Sequence, residues 1–111
     1  MVGGTVIETI ELYDRVWINV KDDRDLSPNC AIYVEKDDKA RCVSEGDAIW
    51  WQSGYAMWTP ACNQQKKKSA HHHDNCLARC GVDYDIKLKR IGCSGAPRPP
   101  SNWLSQPKLP L

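Results

Sequence analysis

The stretch Ala48-Ile49-Trp50-Trp51-Gln52-Ser53-Gly54-Tyr55-Ala56-Met57-Trp58-Thr59 constrains the fold more than any other part of the chain. Two apolar runs rich in aromatic residues flank Ser-Gly, and Pro60 ends the second run. Ser-Gly between such runs suits a short β-hairpin loop. A two-residue loop fixes the register. Trp51 then faces Ala56 and Ile49 faces Trp58 on one side; Trp50 faces Met57 and Gln52 faces Tyr55 on the other. The first face alternates large with small, as core packing requires. The second face is also apolar, which is unusual for a hairpin with one wet side. That face is either covered or binds something.

The rest of the chain repeats the strand pattern. Residues 5–13 alternate imperfectly. In 15–21, Val16, Ile18 and Val20 share one face, with Trp17 and Asn19 on the other. Residues 21–29 are polar and read as a loop. Cys30 to Glu35 alternates again, with Cys30, Ile32 and Val34 opposed to Ala31 and Tyr33. Residues 36–39 read as a turn from which the chain returns as a strand through Ala40 to Val43. Ser44-Glu45-Gly46-Asp47 reads as a tight turn in which Gly46 supplies a positive φ. A last strand runs from Tyr84 to Ile91, with Ile86 and Leu88 on one face and Lys87 and Lys89 on the other; Gly92 to Gly95 closes it.

With 111 residues the chain holds one domain. About six or seven short strands separated by tight turns read as an all-β meander. Closure into a small antiparallel barrel, SH3-like or OB-like, removes the open edges. The expected organisation is a β-barrel domain over 1–95, including a Cys/His-rich insert at 61–82, and a Pro-rich tail at 96–111. Five prolines make that tail unable to form an interior strand or helix.

The insert gathers all three histidines and three of the six cysteines. Asp74 can cap a short helix ending near Gly81, on which Cys76 and Cys80 share a face. His73, His72 or His71 can join them, and Cys62 can complete four ligands for a structural zinc. Cys-x3-Cys is a weaker signal than Cys-x2-Cys, so unligated thiols and a disulfide stand beside the metal reading. A Cys76 nucleophile with a neighbouring histidine base lacks an orienting third group and an oxyanion hole. The sequence carries no catalytic signature, and a non-enzyme is expected.

Net charge is +1, with both signs mixed along the chain. This argues against nucleic acid and anionic membrane as partners. Lys66-Lys67-Lys68 reads as a solvated loop. No apolar run approaches the ~18 residues of a membrane span. Met1-Val2-Gly3-Gly4-Thr5 lacks a basic region followed by an apolar stretch, so a cytoplasmic, reducing compartment is expected. There, cysteines favour free thiols or metal over a disulfide framework. Pro97-Arg98-Pro99-Pro100 resembles a polyproline ligand, though such runs are more often simply stiff termini.

Two stretches carry a resemblance: Glu45-Gly46-Asp47-Ala48-Ile49-Trp50-Trp51-Gln52 with Tyr55-Ala56-Met57-Trp58-Thr59-Pro60, and Asp83 to Gly95 with its Arg90-Ile91-Gly92 ending. They resemble small uncharacterised proteins encoded by bacteriophages and prophages. The Cys/His insert lies outside the pattern. The resemblance implies an accessory protein in the bacterial host cytoplasm that binds a host or phage protein, with inhibition of a host defence protein as one such role. Trp17, Trp50, Tyr55 and Met57 are the expected partner-binding residues, with self-association as another use of the same face. The alternatives are a nucleic-acid-binding barrel, using Lys66, Lys67, Lys68, Lys87, Lys89 and exposed tryptophans, and a zinc- or thiol-dependent enzyme.

Overall fold

The computed structural model describes residues 2–22, 30–61 and 85–104. Among the described residues six strands are formed: β1 (Val2–Glu11), β2 (Arg15–Asp22), β3 (Cys30–Glu35), β4 (Ala48–Gln52), β5 (Tyr55–Thr59) and β6 (Ile86–Ser94). A 3₁₀ turn, Ala40–Cys42, lies between β3 and β4, and a one-turn helix, α1 (Ser101–Leu104), follows β6. The strands close into a barrel in the order β1-β2-β3-β6-β5-β4, and every pairing is antiparallel. Two meanders, β1-β2-β3 and β4-β5-β6, therefore meet along β3–β6 and β1–β4. The small closed antiparallel barrel read from the sequence is the observed fold; it has one strand more than the five of an OB-fold.

The hairpin register is the expected one: Ile49 opposite Trp58, Trp50 opposite Met57, Trp51 opposite Ala56 and Gln52 opposite Tyr55. Gly46 and Gly54 both have positive φ, at 92° and 86°, which lets the two turns close without a Cβ clash. The interior contains Val6, Val16, Ile18, Val20, Ile32, Val34, Ile49, Trp51, Ala56, Trp58 and Leu88. These are the inward sets that period-two alternation assigned on β2 to β6.

Three local expectations differ from the structure. The irregular alternation of the first strand comes from a β-bulge: Val6 pairs with Val20 and Glu8 with Asn19, leaving Ile7 extra. The bulge shifts the phase of the strand. Val6 packs in the barrel, whereas Ile10 and Leu12 pack with Trp17 outside it. Residues 40–43 do not return as a strand. Asp37 Oδ1 accepts the Ala40 N–H at 2.8 Å and starts the 3₁₀ turn, which buries Ala40 and Cys42. Finally, β6 does not close at Gly92 but runs to Ser94 opposite Ala31.

Cys42 is disulfide-bonded. The expected preference for free thiols or metal therefore fails at this cysteine. A persistent disulfide belongs to an oxidising environment and weighs against a reducing one. Exposed Cys93 is free. No helix among the described residues is long and apolar enough to cross a membrane.

Candidate functional site: two aromatic faces on opposite walls

Alternation along a strand sends half of its side chains out of the barrel. In this chain the outward set is unusually aromatic on two walls. In the circular strand order β2 lies three places from β5, and β3 three places from β4. The two aromatic walls are thus on opposite sides.

The first wall is β2–β3. Trp17 and Tyr33 are cross-strand partners, and their rings stack with centroids 5.3 Å apart and planes at 11°. Gly92 of β6 lies opposite Tyr33. A Cβ at position 92 would approach the Tyr33 hydroxyl to 2.5 Å, so glycine is what lets the ring lie across β6. The tail then crosses this wall. Trp17 Nε1–H donates to the Pro97 carbonyl at 2.8 Å over a separation of 80 residues. Trp103 of α1 stands edge-on to both rings, at 5.7 Å from Trp17 and 5.3 Å from Tyr33. The Arg15 guanidinium sits 4.3 Å from the Trp103 ring centre, a cation–π geometry. Asp14 holds that guanidinium through two hydrogen bonds of 3.0 and 2.9 Å. The same bonds hold the Asp14 carboxyl below its usual range, against a smaller opposing push from burial. Arg98 pairs with Glu8 at 2.9 Å. Pro99 is buried.

The second wall is β4–β5. Trp50 and Tyr55 meet edge to face at 5.9 Å. Lys87 Nζ lies 4.6 Å from the Tyr55 ring centre, and Gln52 Nε2–H donates to the Tyr55 hydroxyl. Trp50, Tyr55 and Met57 are half-buried. Lys87 and Lys89 of β6 lie beside Met57 and Tyr55 and are exposed. Lys89 also pairs with Glu35 at 3.3 Å.

Of the four expected partner-binding residues, Trp50, Tyr55 and Met57 thus share one outer face. Trp17 does not join them. It points outward as expected, but onto the opposite wall, and it is only 1% exposed because its own tail covers it. The tail contacts Trp17, Tyr33, Arg15 and Glu8 on this wall. The expected zinc ligands, Cys62, His71, His73, Cys76 and Cys80, lie outside the described residues, as does His72. Among the described residues no group of three or more histidine, cysteine or acidic side chains is gathered.

Two features escaped the sequence reading. Asp47 is fully buried beneath the Gly46 turn. Its Oδ2 accepts from Trp58 Nε1 and from the Ser44 amide, and its Oδ1 from the Ala61 amide, each at 2.8 Å. The carboxyl group locks the turn, the β5 core tryptophan and the exit of the hairpin together. The signal was the Asp directly after the turn glycine, read only as turn chemistry. The second feature is a cavity of about 410 Å³ lined by Glu11, Asp38, Lys39, Arg41 and Cys42. Lys36 and Arg41 pair with Glu11 at 3.0 and 3.2 Å. The Lys36 hydrogen bond, with the charges of both cations, lowers the Glu11 pKa.

Compared with family models, curated proteins and solved structures, the chain shows no match.

Proposed function

We propose that the chain is a non-enzymatic binding module that acts through protein–protein contacts on the β4–β5 wall. One observation carries this reading: Trp50, Tyr55 and Met57 form a contiguous, partly exposed face on strands whose inner sides already supply the core. Tryptophan, tyrosine and methionine are the residue types enriched in the centre of interfaces. A rim of Lys87, Lys89 and Gln52 matches the polar surround of such a patch. The resemblance to phage-encoded proteins supplies a setting, an accessory protein that binds a host protein and inhibits a defence. The cytoplasmic location rests on that resemblance, and the Cys42 disulfide weighs against it. A structural zinc at Cys62, Cys76, Cys80 and one of His71 or His73 would be a separate, stabilising feature.

The test is a tagged chain expressed in a bacterial host, with co-purifying proteins identified by mass spectrometry. A defined partner that is retained by wild type and lost in Trp50→Ala, with the circular dichroism spectrum unchanged, supports the reading. A wild-type chain that retains nothing and stays monomeric refutes it.

One observation favours a second reading. Lys87 over Tyr55, next to Trp50, also suits stacking of single-stranded nucleic acid with nearby phosphate contacts. Binding of a short oligonucleotide that collapses between roughly 50 and 200 mM salt would favour it over a protein partner.

A further inference from the structure

The covered wall and its cover are chemically matched. A wall of stacked Trp17 and Tyr33 presents an indole N–H outward, and Glu8 and Arg15 flank it. The segment lying on it reads Pro97-Arg98-Pro99-Pro100 and ends in α1. The polar contacts described for this segment are ones that a peptide could reproduce. A carbonyl accepts from Trp17 Nε1, an arginine pairs with Glu8, and an aromatic ring fits between the two wall rings and Arg15. The Pro97 carbonyl is the acceptor in this contact, so the wall reads backbone of a proline-bearing chain rather than side chain alone. Proline-rich segments suit aromatic walls because little chain entropy is lost on docking.

A further group points to the same use. Asn19 shares the outward face of β2 with Trp17 and is 7% exposed, yet its Oδ1 has no hydrogen-bond partner among the described residues. A buried acceptor without a donor is costly, and a peptide amide would relieve that cost.

We infer that the β2–β3 wall is a recognition groove for proline-rich, arginine-bearing peptides, and that residues 97–103 occupy it as a built-in competitor. The occupant in trans is a segment of another protein with Pro-Arg-Pro-Pro chemistry and a following aromatic residue. This groove is on the opposite wall from Trp50, and the inference does not rest on the contact proposed there. The tail sets a threshold. A segment tethered a few residues from its groove competes at a millimolar effective concentration. Weak peptides are therefore excluded, and only a tight or multivalent one displaces the tail.

The test keeps the full chain and loosens the tail with Arg98→Glu and Trp103→Ala. The probe is a synthetic peptide of residues 95–104 in the wild-type sequence, titrated into ¹⁵N-labelled protein. The readout is the Trp17 indole N–H resonance, with the remaining amide spectrum as the check on folding. The loosened chain should bind the peptide at least ten-fold more tightly than wild type. Glu8→Gln in the loosened chain should weaken the wild-type peptide several-fold and leave a peptide carrying Arg→Gln unaffected. Equal affinity for both chains, or no shift of the Trp17 indole in the loosened chain, overturns the inference. So does a wild-type dimer in sedimentation that the two tail substitutions dissolve, because the tail would then be held by a second copy. Arg98→Glu alone repeats the comparison should the double variant fail to fold.

Discussion

Asp47→Ala should be the most damaging single polar substitution in the described part of the chain. The side chain is 0% exposed and accepts three hydrogen bonds of 2.8 Å. Each bond contributes about 1 kcal/mol net. Deletion does more than remove them. Trp58 is 0% exposed, so its Nε1–H cannot recover water, and an orphaned buried donor costs about 1–3 kcal/mol. Ser44 and Ala61 are half-buried and their amides recover part of the loss from solvent. The sum is about 3–5 kcal/mol, a large share of the ~5–15 kcal/mol that holds a domain together. Asp47→Asn separates the contributions. Its one carbonyl oxygen can take the Oδ2 place and keep Trp58 and Ser44, while its NH₂ then faces the Ala61 N–H. The expected loss is about 1–2 kcal/mol. Urea unfolding followed by tryptophan fluorescence, without reductant, measures both variants. Trp58→Phe in each background should show a coupling of about 1 kcal/mol or more with Asp47. A loss below about 1 kcal/mol for Asp47→Ala, or equal losses for alanine and asparagine, refutes the lock.

Other substitutions and conditions test separate parts of the structure. Gly92→Ala should displace the Tyr33 ring from β6 and release the tail while leaving the barrel folded; an unchanged Trp17 indole resonance would contradict this. Asp14 has a lowered carboxyl pKa because of Arg15, so its contribution is complete above the ordinary carboxylate range and is lost as pH falls through the lowered value. Tail contacts at Trp103 should therefore loosen only below about pH 4, and a Trp103 indole signal unchanged down to pH 2 would count against Arg15 as the link. Reduction should lower the melting temperature, because the Cys42 disulfide contributes on the order of 2 kcal/mol; an identical melt with and without reductant would argue that this bond constrains little. Native mass spectrometry of the oxidised chain should show one zinc in addition to the disulfide; metal-free protein with the insert thiols titratable would dismiss the zinc.

The barrel was legible in the sequence because strand periodicity is local. Two-residue alternation in Val16-Trp17-Ile18, Ile32-Tyr33-Val34 and Ile86-Lys87-Leu88 assigns each side chain to a face, and Ser53-Gly54 fixes the hairpin register without tertiary information. Outer-face membership of Trp50, Tyr55 and Met57 followed from the same rule. What alternation cannot say is which outward face stays open. Trp17 and Trp50 have the same sequence signature, yet one lies under a segment 80 residues away and the other keeps a partly exposed ring. That difference depends on long-range contacts between Pro97, Trp103 and the β2–β3 wall, which leave no periodic trace. The bulge at Ile7 and the burial of Asp47 are also tertiary outcomes. The first redirects Ile10 and Leu12 toward Trp17, and the second needs Trp58, Ser44 and Ala61 brought to one point by barrel closure.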